Sequence, residues 1–362
     1  MYKVSIAPLW RISREDNDRS HGSLDTVVLL RLLSQIKSSG SIAAAVKTTG
    51  SSYRHVWGLL REAEQLFGTQ LLLKQPGRGT QLSPLAEALL LADERIRARL
   101  SPTLESLASE LETEISKTVT GPRNALRLFA SHGFAVASLS EWISAIHLPL
   151  EVRYRNSTEA LAALERRECD LAGFHVPLGE FEPDAVERYT RWLNADTHVL
   201  IHLATRTQGL FVARDNPKRI KSLADLKRPQ VRFVNRQPGS GTRMLLELML
   251  KKVRISTSQI SGFESTEFTH AAVAAYIASG MADVGIGVET AARRFGLDFV
   301  PLLKERYFFA VERASLNTRP MSDVVDILRS REFGKRIQEL EGYDAADTGR
   351  VLTLGEAFRG GE

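Results

Sequence analysis

The run RQPGSGTRMLLELML at 236–250, directly after the β-rich stretch VRFVN, is where this sequence concentrates groups able to bind a ligand. A glycine-rich turn that enters a helix presents unpaired backbone N–H groups at the positive end of the helix dipole, which suits an anion or a polar oxygen. Gly239 and Gly241 supply the turn, Ser240 and Thr242 hydroxyl donors, and Arg236 and Arg243 cations. The spacing is not the G-x-x-x-x-G-K-[ST] of a nucleotide loop, so nucleotide hydrolysis is not indicated. Three further junctions between a strand and a helix carry polar residues: Ser131 and His132 in FASHGFAV, Ser157 and Thr158 in RNSTEALAAL, and Thr269 and His270 in EFTHAAVAAY. Ser157 also reads as a helix cap, and His175 ends the strand LAGFHVP in the same manner. In open α/β sheets ligands gather at the carboxyl ends of strands, so these residues are expected to converge.

No catalytic set accompanies them. The chain has no G-x-S-x-G elbow, no H-E-x-x-H and no supported Cys/His pair, so it is expected not to be an enzyme. Its single cysteine, Cys169, excludes an intrachain disulfide and a Cys-rich zinc site, and reads as a packing residue. No apolar run approaches the roughly 18–20 residues that span a bilayer, and the N-terminal twenty residues lack the pattern of a secretory signal. A cytoplasmic protein without membrane contact is the expectation.

The elements that position these groups fall into two regions. Residues 125–355 alternate β-rich runs (ALRLFAS, LEVRYRN, LAGFHV, HVLIHLATRTQGLFVAR, VRFVN, ADVGIG, FVPLLKERYFFAVE) with amphipathic helices. That order predicts an α/β domain with largely parallel sheets, two lobes and a cleft between them. Ahead of it, residues 1–12 suggest a short strand, and apolar spacing predicts a helix from Leu24 to Gly40. Ser41 caps a second helix that stops at Gly50, and Ser51 or Ser52 caps a third that stops at Gly68. QLLLK and TQLS around the turn at 75–79 predict a hairpin. Three helices and a hairpin make a winged helix-turn-helix, whose second motif helix enters the DNA major groove with its first turn. Ser52, Tyr53, Arg54 and His55 occupy that turn, with Ser41 and Ser51 near it. Arg54 is the best base reader, since arginine pairs bidentately with guanine. Arg61 lies further along, while Lys74 and Arg78 flank the wing and suit phosphate. Residues 1–100 carry 14 Lys+Arg against 9 Asp+Glu, the whole surplus of the +5 chain, so the polyanion partner belongs at this end. A long helix over 84–116 places Ile96, Leu100, Leu104, Leu107, Leu111 and Ile115 on one seam, predicting a homodimer with tetramers open.

Two resemblances follow from these stretches. GSIAAAVKTTGSSYRHVWGLLREAEQLFG and LLLKQPGRGTQLSPLAEALL, over about 22–95, resemble the DNA-binding domain of ModE-type and LysR-type regulators. RQPGSGTR, THAAVAAYIASGMADVGIG, LDFVPLLKERYFFAVE and GYDAADTGRV, over about 125–355, resemble periplasmic-binding-protein-like domains found fused to such DNA-binding domains. The resemblance implies domains at 1–83 (winged helix-turn-helix), 84–124 (dimerisation helix and hinge) and 125–362 (periplasmic-binding-protein-like effector domain). It also implies a one-component transcription regulator controlled by a small anion, with molybdate or tungstate as candidate effectors and no covalent cofactor. The small molybdate-binding β-barrel usual in ModE proteins is absent, so molybdate recognition does not carry over from the DNA-binding half. A rival expectation is a binding or storage protein for an oxyanion or molybdenum cofactor, whose winged helix mediates protein contacts.

Overall fold

The computed structural model describes residues 3–13, 24–50, 52–75, 79–120 and 125–358. The chain divides into two compact units, Ala7–Arg97 and Met1–Ile6 together with Ala98–Glu362.

In the smaller unit β1 (Arg11–Ile12) pairs antiparallel with β2 (Leu24–Asp25), and helices α1 (Thr26–Ser39), α2 (Ile42–Thr49) and α3 (Tyr53–Phe67) follow. The strand expected over residues 1–12 is confined to β1, and α1 starts two residues later than its apolar pattern because Leu24 and Asp25 join β2. Ser41 caps α2 by accepting the Ala44 amide, and Ser52 caps α3 by accepting that of His55. Gly50 and Gly68 end these helices at φ 67° each, a left-handed conformation that a side chain disfavours. Leu29, Leu33, Ile36, Ala45, Val56, Leu60 and Ala63 are buried together, the apolar faces that the helical spacing required. The hairpin is β3 (Leu72–Gln75) and β4 (Gly79–Leu82), paired antiparallel. Helix α4 (Pro84–Thr120) begins here and runs on, so the division between the units falls within it.

The larger unit is built on one sheet. Its first lobe holds β5 (Leu126–Ala130), α5 (Phe134–Ala145), β6 (Leu150–Tyr154), α6 (Ser157–Glu165), β7 (Leu171–Pro177) and α7 (Glu182–Thr190). The chain crosses on β8 (His198–Val212) to the second lobe of β9 (Phe233–Arg236), α8 (Gly241–Lys252), β10 (Thr266–Glu267), α9 (His270–Ala278), β11 (Val284–Val288) and α10 (Glu289–Arg294). It returns on β12 (Asp298–Glu312) to α11 (Arg319–Arg329), α12 (Arg331–Gln338), β13 (Tyr343–Asp344), β14 (Val351–Leu352) and α13 (Leu354–Ala357). The strand order is β10-β9-β11-β8-β12-β7-β5-β6, with β13 and β14 on β8. Each lobe is parallel internally (β5 with β6 and β7, β9 with β10 and β11), as the βαβ pattern predicts. The centre is not: β8 and β12 pair antiparallel with each other along nearly their whole length, and with β11 and β7 respectively. Fifteen residues of strand reach about 50 Å, enough for each to serve both lobes. Separate apolar cores back the lobes, one around Leu128, Leu139 and Phe309 and another around Phe233, Leu245 and Ile286.

Candidate ligand site and candidate DNA interface

At the first turn of α3, Ser52, Tyr53, Arg54 and His55 are all exposed, and Arg61 is exposed further along. Tyr53 leans on Trp57, with ring centroids 6.1 Å apart, which steadies an exposed aromatic at the helix start. The hydroxyls of Ser41 and Ser52 are spent on helix caps. Ser51 and Arg78 lie outside the described residues. Lys74 stands in β3, and its side chain is likewise outside them.

The second cluster lies where β8 and β12 pass between the lobes. Arg206 and Glu305 face each other across the two strands, with Nε donating to Oε1 at 2.7 Å. Arg206 Nη2 lies 3.2 Å from His175 Nδ1, and His175 Nε2 shares a 2.7 Å hydrogen bond with Ser131 Oγ. Gln208 Nε2 donates both to Glu305 Oε1 (2.8 Å) and to Thr242 Oγ1 (3.0 Å). A carboxylate only accepts, so Glu305 fixes which end of the Gln208 amide faces Thr242. The start of α8 closes on this group: a Cβ at Gly241 would lie 3.2 Å from His175 Cδ2 and 3.5 Å from Ser157 Oγ. Gly239 adopts φ +81°, which favours glycine, and a Cβ there would have to displace the Asn156 amide nitrogen at 2.8 Å. Ser240 caps α8 by accepting the Arg243 amide.

Arg236 ends β9 beside these groups and is 3% exposed. Its Nη2 donates to the Phe268 carbonyl at 2.7 Å, its Nε has no hydrogen-bond partner among the described residues, and it forms no ion pair with a described carboxylate. Burial and the neighbouring Arg206 charge pull the Arg236 guanidinium down to about 9, against an upward pull from Glu305. Burial also lowers Arg206, but there Glu305 and Tyr343 outweigh it and hold the guanidinium above the usual arginine value. Burial, then the charges of Arg206 and Arg236, push His175 well below the usual histidine range. His270, the first residue of α9, is lowered by burial and then by Arg236 and Arg206, and its Nδ1 has no partner among the described residues. The cluster between the lobes thus holds one arginine matched by a carboxylate, one with no carboxylate among the described residues, two imidazoles held uncharged by burial and several hydroxyls. Such an arrangement favours a small anion.

Ser131, Ser157, His175, Arg236, Gly239, Ser240, Gly241, Thr242 and His270 are therefore brought together. Four others are directed elsewhere. Arg243 turns its guanidinium to Glu247 and Glu264 over the Phe263 ring. Thr158 donates to Asn156 Oδ1 within the cap of α6. His132 faces Ser101 and Glu105 of α4, and Thr269 donates to the Ala98 carbonyl of the same helix. The groups that sequence reasoning passed over are Arg206, Gln208 and Glu305. Their signal was weak: each stands in a short polar run of a long strand (TRTQ in β8, KER in β12), and only the structure shows that these three are buried. Among the described residues no group of three or more His, Cys, Asp or Glu could hold a metal ion, and no helix is long and apolar enough to cross a membrane.

Comparison with known proteins adds the following. Residues 137–329 match the model of the PBP superfamily domain. The uncharacterized protein YvgK of Bacillus subtilis (strain 168) is 32% identical over 203 residues, covering 55% of this chain and 64% of that protein. The HTH-type transcriptional regulator CbbR of Xanthobacter flavus is 30% identical over 229 residues, covering 63% of each. This chain accordingly spans just under two thirds of the length of these relatives, and the one with a functional name is a regulator rather than an enzyme. Among solved structures, an H2O2-bound cysteine-to-serine mutant of Corynebacterium glutamicum OxyR aligns with a TM-score of 0.43 at 15% identity, covering 86% of this chain and 92% of that one.

Proposed function

Because the chain belongs to the PBP superfamily through residues 137–329, we propose that it is a LysR-like, ligand-responsive transcription regulator working in the cytoplasm. In this reading the winged helix binds double-stranded DNA, and the cleft binds a small anion without turning it over. Tetrahedral oxyanions of the molybdate or tungstate kind are the first candidates. Relatives named as HTH-type regulators support the DNA-binding half, as does the exposed Tyr53-Arg54-His55 turn at the start of α3. The exposed seam of Leu100, Leu107, Leu111 and Ile115 on α4 supports a homodimer.

The observation that carries the ligand half is Arg236. A guanidinium buried without a carboxylate is costly, and an anion that accepts from its free Nε relieves that cost. Thermal unfolding with molybdate, tungstate, sulfate, phosphate or formate tests the reading. A ligand that binds only the folded protein stabilises it by about 2.7 kcal/mol at a hundred times its dissociation constant. The expected result is a raised midpoint with at least one oxyanion, abolished by Arg236→Gln. An unchanged midpoint with all five, or a rise that survives the substitution, refutes the assignment.

A further inference from the structure

Within the larger unit, α4 bonds both lobes at once, and it does so on the loops that carry cleft residues. Thr269 caps α9 by accepting the Ala272 amide at 2.8 Å, and its own proton goes to the Ala98 carbonyl at 3.1 Å. In an unbroken helix that carbonyl accepts from the amide four residues on. Position 102 is proline, which has no N–H to give. Pro102 therefore leaves a carbonyl unclaimed in mid-helix, and Thr269 takes it. Beside this contact Arg99 pairs with Glu267 at 3.0 Å, and Ala98 packs on Ala272 and Ala275. The residue between Glu267 and Thr269 is Phe268, whose carbonyl holds Arg236.

From Ser101 onward the same helix meets the other lobe. His132 lies 3.3 Å from Glu105 Oε1 and 3.5 Å from Ser101 Oγ, and its neighbour Ser131 holds His175. Ser106 and Ser109 accept the amides of Tyr154 and Val152 on β6 at 3.0 and 2.8 Å.

We propose that residues 98–109 of α4 form a latch that reads the state of the cleft. Thr269 and His132 are its positioning residues, tying the ligand-bearing loops of the two lobes to one helix. The inference rests on the anion reading of the cleft. A ligand that binds two lobe arrangements unequally shifts their balance, and that shift moves the Thr269 anchor relative to the β6 anchors. Pro102, where the helix lacks one hydrogen bond, is where it yields.

Hydrogen exchange on the full-length protein tests this without knowledge of the natural ligand. Thr269→Val is expected to speed exchange across 98–106 of α4 at least tenfold, while Thr269→Ser behaves as the parent. Pro102→Ala is expected to move two segments in opposite directions. The restored amide reclaims the Ala98 carbonyl, so α4 exchanges more slowly and 269–273 faster. If Thr269→Val leaves 98–106 unchanged, or Pro102→Ala slows both segments, the latch is wrong. In a second arm, saturating molybdate is expected to protect 237–244 and to alter 98–106, and Pro102→Ala keeps the first effect and loses the second. Protection at 237–244 with α4 unaltered overturns the latch and leaves the anion site standing. Absence of protection at 237–244 with molybdate, tungstate and phosphate alike brings down the anion reading, and the regulatory inference with it.

Discussion

Two buried arginines stand between the lobes and differ in one respect: Arg206 has Glu305, whereas Arg236 has, among the described residues, a carbonyl and no carboxylate. The low dielectric that makes an unmatched cation costly also governs the histidines. His175 and His270 are held well below their usual range, and burial takes His202, on β8, down to about 4. A histidine with a depressed pKa in the folded state binds fewer protons there than in the unfolded chain once the pH falls below about 6.5. Stability is then lost as pH falls, because unfolding takes up protons. His202 accounts for about 3 kcal/mol of that loss as the pH falls from 6.5 to 4. Urea unfolding at successive pH values should show the midpoint falling across this window, and His202→Gln should flatten the fall. A midpoint independent of pH from 6.5 to 4 contradicts the burial of uncharged imidazoles. At the other end of the chain, Arg54 is exposed in the first turn of α3. Arg54→Ala is expected to cost about 1–3 kcal/mol at one base pair while leaving non-specific affinity nearly intact. Equal losses on specific and random DNA, measured by fluorescence anisotropy, would assign Arg54 to phosphate instead.

Among the elements, α2 and α3 were legible because their signals are local. Serine caps, glycine stops and a 3.6-residue apolar spacing lie within one or two turns of the residues they determine. The centre of the larger unit was less so. HVLIHLATRTQGLFVAR reads as a strand whichever way its neighbour runs, since apolar alternation does not encode pairing direction. Arg206 and Gln208 find their partner Glu305 about a hundred positions away, and only the antiparallel pairing of β8 with β12 brings them together. Thr269 read as a ligand residue because it follows a strand, yet the carbonyl that claims it lies 171 positions earlier. Of the seam that the spacing predicts on α4, Leu100, Leu107, Leu111 and Ile115 are exposed, whereas Ile96 and Leu104 are half-buried. Replacing Leu107 and Leu111 together by Asp is expected to yield a monomer in sedimentation equilibrium, with the circular dichroism of the folded chain retained. A dimer that persists through both substitutions places the interface elsewhere.

Across the whole molecule, the division between Arg97 and Ala98 separates the groups proposed to bind DNA from those proposed to bind an anion, while one helix runs through both units. The smaller unit has its own apolar core of helix faces, and the larger has cores behind each lobe. Units with separate cores unfold as separate cooperative transitions unless the link between them is stiff and extensive. Calorimetry of the full chain is therefore expected to show two transitions. An oxyanion held by Arg236 and the start of α8 should raise the one belonging to 98–362 by several degrees, about 2–4 °C per kcal/mol for a unit near this size. The transition of 7–97 should move little, because every residue proposed to hold the anion lies in 98–362. DNA should do the reverse, raising the transition of the winged helix and losing that effect as salt rises, since phosphate contacts release counterions. A single transition that both ligands raise equally would mean that α4 welds the two units into one cooperative body.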